Sequence, residues 1–204
     1  MKLYEDRAAP NPRRVRMFLA EKGITDVEFA PVPLAQDAQF TPEFLAKNPL
    51  GWVPVLELPD GRHLAETIAI CRYFEHLHPA PCLFGEPGEE AAFVDMWQRQ
   101  MEFEIFWPIA NVFRNIHPFF KGKHPQVPEY GEVQRAHALK RLAWLDGVLA
   151  DGRDFIAGPR YTVADITAVC GIDFGRVSGI RPGDDHPHLK AWHARVSARP
   201  SARA

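Results

Sequence analysis

Two short segments of the sequence, around residues 53 and 66, carry polar groups suited to binding a small peptide. In the segment NPLGWVPVL, residues 48–56, Pro54 lies inside an apolar strand pattern, where a missing N–H donor is normally unfavourable. A cis Val53–Pro54 bond would turn the amide and carbonyl of Val53 outward, as a donor and an acceptor for an extended peptide. A trans proline at the start of a strand is the alternative interpretation.

The second segment, AETI at residues 65–68, leads from a predicted strand into a predicted helix. The hydroxyl of Thr67 and the first free amides of that helix form a site for an anion, because a helix N-terminus carries partial positive charge. The Glu66 carboxylate beside it can meet an ammonium group. The pair suits the α-carboxylate and α-amine of an amino acid, although a threonine cap beside a solvated glutamate would have the same sequence.

The first 78 residues alternate between strand and helix patterns. The sequence predicts strands at 2–4, 27–32, 53–58 and around Leu64, and helices with Asn11 as N-cap, at 41–46 and with Thr67 as N-cap. The first helix carries an apolar stripe at positions 15, 18 and 19. That stripe predicts that Arg13, Arg14 and Arg16 face elsewhere.

The rest of the chain has helical patterns after a linker rich in proline and glycine at 79–88. Apolar residues recur every three or four positions from 93 to 116, which predicts a long helix with a kink at Pro108. Further helices are predicted at 138–149 and 187–198. Thr162 and Asp165 form a predicted capping box at the start of another, buried helix.

The order and spacing of these elements and motifs resemble the soluble glutathione transferases. The motifs that carry the resemblance are Val53–Pro54, the turn at 59–61, Glu66–Thr67 and the Thr162–Asp165 capping box. The likeness is strongest to bacterial and fungal enzymes that lack the usual catalytic tyrosine, serine or cysteine. It implies an α/β plus all-α fold: a thioredoxin-like glutathione-binding domain (β-α-β-α-β-β-α) at 1–78, a linker at 79–88, and an all-helical domain at 89–204 that contributes the electrophile pocket.

The resemblance also implies roles for individual residues of the first domain. The main chain of Val53 beside Pro54 is expected to pair with the cysteinyl unit of glutathione. Glu66 and Thr67 are expected to bind its γ-glutamyl end. The glycine carboxylate usually meets a basic or amide side chain just before the Val-Pro segment, where this sequence has a tryptophan. The candidates around that carboxylate are Trp52, Lys47 and Gln36.

The thiol-activating side chain of the family follows the first strand, and this sequence has no hydroxyl or thiol there. Tyr4 lies within the strand, and Ala9 or its neighbour occupies the usual position. We therefore predict Asn11 as the catalytic residue, because its amide can donate a hydrogen bond to a thiolate and the adjacent helix N-terminus favours negative charge. The alternative is that Asn11 only caps the helix.

Aromatic and basic side chains of the second domain are candidates for the electrophile pocket. They are Phe106, Phe113, Arg114 and His117. Some fungal relatives activate the thiol through water held by serine and histidine, but the comparable stretch 112–118 has no serine, so Arg114, Asn115 or His117 would have to contribute. Core packing or dimer contacts would explain the same aromatic cluster.

Composition narrows the function classes. The 204 residues carry 24 Lys and Arg against 26 Asp and Glu, which argues against a dedicated nucleic-acid-binding protein. No run is long and apolar enough to span a membrane, no metal-ligand spacing is present, and three cysteines favour a reducing compartment.

We expect a cytoplasmic homodimer, without a metal, that uses glutathione as co-substrate in the detoxification of a hydrophobic electrophile. The alternatives are a glutathione-dependent disulfide reductase or peroxidase, and a non-catalytic binding protein of the same fold.

Overall fold

The computed structural model of the protein describes all 204 residues and divides them into two compact units. The first unit comprises Met1–Cys82 together with Arg203–Ala204, and the second comprises Leu83–Ala202. The division between the two units falls within the linker predicted at 79–88.

The first unit is built on a four-stranded mixed sheet. Its strands are β1 (Lys2–Glu5), β2 (Glu28–Pro31), β3 (Val55–Glu57) and β4 (His63–Ala65). Its α-helices are α1 (Pro10–Glu21), α2 (Pro42–Leu45) and α3 (Thr67–Leu77), with 3-10 turns at Leu34–Gln36 and Ala38–Phe40. The strand order is β2-β1-β3-β4, with β1 parallel to β2 and antiparallel to β3, and β3 antiparallel to β4. This is the thioredoxin-like arrangement that the sequence predicts.

The register of the sheet aligns three strand ends. Tyr4 of β1 pairs with Val55 of β3, which pairs in turn with Ala65 of β4. The carboxyl end of β1, the amino end of β3 and the carboxyl end of β4 therefore lie side by side. We call this edge the open end of the sheet. The loop into α1, the Val53–Pro54 peptide and the Glu66–Thr67 pair all continue from it.

Both helices that start at the open end begin earlier than the sequence predicts. Helix α1 begins at Pro10 with Ala9 as N-cap, so Asn11 lies inside the first turn and not at the cap. Proline is favoured at the first helical position, and residues 10 and 12 are both prolines. The sequence prediction took the second of them as the first helical residue, whereas the helix begins at the first. Helix α3 begins at Thr67 with Glu66 as N-cap, so Thr67 is not the cap.

Two arginines of α1 are buried, although the sequence places them off the apolar stripe of the helix. Arg14 and Arg16 are only 2% and 6% exposed. Arg16 forms a buried ion pair with Glu5, and its Nη2 donates to the carbonyl of Arg7 at 2.9 Å. A carboxylate buried at the end of β1 needs a cation beside it. The apolar spacing within one helix does not reveal that a carboxylate on another element needs a cation.

Lys22 joins the C-terminal ends of α1 and α3. Nζ of Lys22 donates to the carbonyl of His78 at 2.8 Å and to that of Pro81 at 2.5 Å, and it pairs with Glu75 at 2.5 Å. The Lys22 side chain is 0% exposed. These contacts fix the spacing of the two helices whose N-termini border the open end.

The second unit is helical throughout. Its α-helices are α4 (Glu89–Gln100), α5 (Trp107–Ile116), α6 (Pro128–Leu149), α7 (Val163–Gly175) and α8 (Pro187–Ser197), with 3-10 segments at Pro118–Phe120 and Arg176–Ser178. A last 3-10 segment, Pro200–Arg203, lies at the end of the chain. A π-helical segment, Met101–Phe106, joins α4 to α5, so the irregularity predicted at Pro108 begins before the proline. Proline lacks the N–H that an α-helix would use there, and a wider turn upstream accommodates its absence.

The capping box at the start of α7 is present and fully buried. Asp165 is 0% exposed and accepts four hydrogen bonds. The donors are the Thr162 amide at 2.9 Å, the Thr162 hydroxyl at 3.2 Å, the Ile156 amide at 2.9 Å and Nε1 of Trp192 at 2.9 Å. Burial raises the pKa of Asp165 to about 6, and the four hydrogen bonds oppose that rise without cancelling it.

The raised pKa predicts that the stability contributed by Asp165 falls as pH rises. Between the usual carboxyl pKa of 3.8 and the folded value of about 6, the folded chain holds the Asp165 proton more tightly than the unfolded chain. The difference in unfolding free energy between the wild type and Asp165→Asn, which does not titrate, should shrink through this window and stay level above it. Urea melts at a series of pH values measure the difference, and a difference that widened with pH would contradict the prediction.

Candidate active site

The Val53 peptide lies at the centre of the open end. The Val53–Pro54 bond is cis, in line with one of the two interpretations of the sequence. Neither the N–H nor the carbonyl of Val53 has a hydrogen-bond partner within the chain, because the ladder of β3 begins only at Val55. Nδ2 of Asn48 donates to the Trp52 carbonyl at 2.9 Å and holds the preceding turn. Sequence reasoning gave Asn48 no role, although it is 5% exposed.

Glu66 and Thr67 lie on one side of Val53, where β4 passes into α3. Glu66 has a φ of 70°, in the left-handed region that a glutamate rarely adopts. The first main-chain bond of α3 runs from the Ile70 amide to the Glu66 carbonyl, so the amides of residues 67, 68 and 69 remain available. The Thr67 hydroxyl makes no hydrogen bond within the chain. Three amides and a hydroxyl thus converge on an anion-binding position, with an exposed carboxylate at its rim.

Asn11 lies on the other side of Val53, in the first turn of α1. Its Oδ1 accepts a hydrogen bond from Nη1 of Arg14 at 3.3 Å, and its Nδ2 has no partner within the chain. Pro10 and Pro12 have no N–H, and the Arg13 amide is bonded to the Ala9 carbonyl. The free donors in this turn are therefore the main-chain and side-chain amides of Asn11.

The loop between β1 and α1 offers few other donors. The carboxylate of Asp6 accepts the Ala8 amide at 2.9 Å and the Leu34 amide at 2.9 Å. The Ala9 amide donates to the Asp6 carbonyl at 3.0 Å. The amides next to the usual hydroxyl position are thus already used. The sequence signal for this arrangement is an Asp two residues before the amide it accepts, a common turn motif that sequence analysis overlooked.

Comparison with known proteins identifies the architecture. Family models described as "Glutathione S-transferase, N-terminal domain" and "Glutathione S-transferase, C-terminal domain" match residues 8–77 and 108–200. Glutathione S-transferase 2 of Saccharomyces cerevisiae is 36% identical over 209 residues, which cover 100% of this chain and 88% of the yeast protein. The chain belongs to the glutathione S-transferase family.

Solved structures of the glutathione S-transferase family agree with this assignment. A glutathione S-transferase domain-containing protein of Marinobacter aquaeolei VT8 is 40% identical with a TM-score of 0.93, and the alignment covers 98% of this chain and 99% of that protein. A glutathione S-transferase-I bound with lactoylglutathione is 26% identical with a TM-score of 0.80, and the alignment covers 99% of this chain and 96% of that one.

Tyr4 does not take the place of the hydroxyl found in other glutathione S-transferases. Its hydroxyl donates to Oε2 of Glu57 at 2.6 Å. This hydrogen bond, together with burial and the Glu57 charge, raises the pKa of Tyr4 to about 12. The phenol stays protonated at neutral pH and is already engaged by a carboxylate.

The candidates for the glycine carboxylate have different surroundings. Nζ of Lys47 lies 5.1 Å from the centre of the Tyr4 ring, in a cavity of about 230 Å³ beside α2. Trp52 is 43% exposed, and Gln36 is exposed as well. In this glutathione S-transferase the residue that binds the glycine carboxylate stays a prediction.

The predicted pocket residues of the second unit separate into two places. Phe113 lies in an aromatic cluster with His117, Phe119, Phe120 and Phe174, at ring-centre distances of 4.4 to 6.0 Å. The Arg114 guanidinium lies 5.9 Å from the Phe120 ring, and burial lowers its pKa. Nδ1 of His117 accepts the Phe119 amide at 3.2 Å, so His117 also caps a 3-10 turn. Phe106 is 6% exposed and packs against Gly171.

No group of three or more His, Cys, Asp or Glu side chains is arranged to hold a metal ion. No helix has both the length and the apolar character needed to cross a membrane.

The backbone conformation of Glu66 predicts that glycine at this position gives a more stable protein than alanine does. A residue with a side chain costs about 1 kcal/mol or more in the left-handed region, whereas glycine adopts it freely. Glu66→Gly should therefore raise the unfolding free energy relative to Glu66→Ala, which removes the carboxylate and keeps the strained φ. Urea melts of the two variants provide the measurement, and equal stability would show that the backbone at this position is not strained.

Proposed function

We propose that this chain is a glutathione transferase that binds glutathione at the open end of the sheet and directs its thiolate at a hydrophobic electrophile. The observation that carries the proposal is the convergence of unpaired groups there. They are the Val53 peptide, the first amides of α3 with the Thr67 hydroxyl, and the two amides of Asn11. Membership of the glutathione S-transferase family supports it.

The spacing of these groups suits the parts of glutathione. Neighbouring strands lie about 4.8 Å apart, so β1 and β4, with β3 between them, are separated by roughly 10 Å. An extended cysteinyl unit would pair with the Val53 amide and carbonyl, and the γ-glutamyl carboxylate would meet the N-terminus of α3 with its ammonium near Glu66. The thiol would then lie toward β1 and Asn11. The relative that is bound with lactoylglutathione supports a site for glutathione in this chain.

The chemical step needs a thiolate at neutral pH. The thiol proton leaves to solvent, and the main-chain and side-chain amides of Asn11 donate to the sulfur anion, which the positive end of α1 also favours. With a chloronitroarene, the sulfur electron pair forms the new C–S bond and chloride leaves with its bonding pair.

The cellular setting and the assembly belong to the same proposal. All three cysteines are free, which suits a reducing cytoplasm. Large apolar side chains are exposed at intervals along α4, the π-helical segment and the start of α5, and such a surface suits the contact of a homodimer. They are Phe93, Met96, Phe103 and Trp107. The proposal involves no metal, membrane or nucleic acid, and it places the reaction in the detoxification of electrophiles.

Because the chain has no thiol-activating hydroxyl after β1, two other functions are tested beside the transferase. A glutathione-dependent disulfide reductase or peroxidase would use the same thiolate, and a non-catalytic binding protein would retain the glutathione site alone. Turnover should be compared with a chloronitroarene, a hydroxyethyl disulfide and a hydroperoxide. Arylation as the dominant activity supports the transferase, dominance of either other substrate supports the reductase or peroxidase, and glutathione binding without turnover supports the binding protein.

Thr67→Ala should weaken glutathione binding by roughly 1 to 3 kcal/mol, because a hydrogen bond to a charged carboxylate is lost in a buried position. Calorimetric titration measures the affinity. Thr67→Ser retains the hydroxyl and is the matched control, which should bind nearly as tightly as the wild type. Full affinity in a folded Thr67→Ala variant would place the γ-glutamyl site elsewhere.

Asn11→Ala should raise the pKa of the bound glutathione thiol and lower turnover at neutral pH. The expected loss is on the order of tenfold, the equivalent of one charge-assisted hydrogen bond, since the main-chain amide and the helix dipole remain. Thiolate absorbance titrations of bound glutathione measure the shift, and the loss of turnover should shrink as pH rises toward the pKa of the free thiol.

The control for Asn11→Ala is the affinity for S-methyl glutathione, which has no thiolate and should bind almost unchanged. Identical thiol pKa values in the wild type and the variant would leave Asn11 as a structural residue of α1.

A further inference from the structure

Arg14 is the most deeply buried charged side chain of α1, and its position is unusual for a surface helix. It is 2% exposed and lies one turn after Asn11. Removing a guanidinium from water is costly unless the protein supplies specific partners for it. Arg16, the other buried arginine of this helix, has the Glu5 carboxylate. Among the interactions of Arg14, the one with Asn11 bears on the candidate site.

The chemistry of arginine determines which way the Asn11 amide points. Nη1 of Arg14 lies 3.3 Å from Oδ1 of Asn11. A guanidinium has five donors and no acceptor, so the atom of Asn11 that faces it must be the oxygen and not the amide nitrogen. The NH₂ group of Asn11 consequently faces away from Arg14, and it has no partner within the chain.

A guanidinium on the amide oxygen also changes the strength of the free donor. Hydrogen bonds in a chain polarise one another, so a cation that draws electron density toward Oδ1 makes the Nδ2 hydrogens better donors. The carboxylates of the neighbouring segment have donors of their own, Glu5 from Arg16 and Asp6 from the amides of Ala8 and Leu34. The charges that surround this turn therefore favour an anion at Nδ2.

We propose that Arg14 is a positioning residue, which holds the Asn11 side chain with its NH₂ group directed to the sulfur of glutathione. The inference rests on the proposed function and adds to it a residue that does not itself touch the substrate. Without Arg14 the amide can rotate and present its oxygen, which would repel a thiolate. The contribution of Asn11 to thiol activation thus depends on Arg14.

The test measures the pKa of the bound thiol in Arg14→Met, alone and in the Asn11→Ala background. Arg14→Met alone should raise that pKa and lower kcat/KM at neutral pH three- to tenfold, while S-methyl glutathione binds as before. In the Asn11→Ala background the same substitution should change the pKa no further. An equal shift in both backgrounds would mean that Arg14 acts by its charge and not through Asn11, which would overturn the proposal.

Control variants separate positioning from general damage to α1. Arg16→Met removes an equally buried arginine that does not contact Asn11, and it should lower the melting temperature without a comparable change in thiol pKa. Arg14→Lys keeps the charge, and it should activate the thiol more than Arg14→Met does only if the shorter ammonium reaches Oδ1 of Asn11. It also serves as the test protein if Arg14→Met does not fold. If the wild type does not lower the pKa of bound glutathione, the proposed transferase mechanism is refuted. If Asn11→Ala shifts the thiol pKa and Arg14→Met does not, only the positioning role of Arg14 is refuted.

Discussion

The first unit leaves main-chain donors and acceptors unpaired at one end of its sheet, and much of its structure compensates for that exposure. Unpaired backbone groups are unfavourable unless water or a ligand meets them. The ladder of β3 starts only after Val53, and α3 begins beside it with three free amides. Bonds made nearby hold these groups still: Asn48 fixes the turn before Val53, and Lys22 joins the far ends of the two helices. These bonds hold the turn before Val53 and the spacing of the two helices without any contribution from a ligand.

The charges of α1 follow from the same constraint. Glu5 ends β1 in a buried position, and Arg16 reaches back from the helix to neutralise it while also bonding the Arg7 carbonyl. This pair anchors the loop that carries Asp6, whose carboxylate then accepts two main-chain amides. The carboxylates next to the candidate catalytic turn are thus engaged by donors, so they repel a thiolate less than free carboxylates would.

Local signals sufficed for part of this arrangement. The Val-Pro segment, the Glu66–Thr67 pair and the capping box around Asp165 are each visible within a few residues of sequence, because a proline in a strand and a cap before a helix have local causes. The burial of Arg16 was missed because it depends on Glu5, which lies on a different element. The start of α1 was misplaced because two prolines competed for the first helical position. The π-helical segment before Pro108 also escaped prediction, since apolar spacing cannot distinguish an α-turn from a slightly wider one.

An asparagine in place of a hydroxyl also alters what the protein can do for the thiol. A tyrosine or serine can both donate to the sulfur and exchange a proton, whereas the amide of Asn11 has no proton to lose at neutral pH and can only donate. Tyr4 does not fill the gap, because its hydroxyl is bound to Glu57 and its pKa lies at about 12. In the mechanism we propose, solvent completes the deprotonation, and Asn11 contributes by making the anion more stable once it has formed. For such a site the orientation of a single amide decides whether the nearest dipole attracts or repels the sulfur, so the side chain that fixes its orientation matters as much as the amide itself.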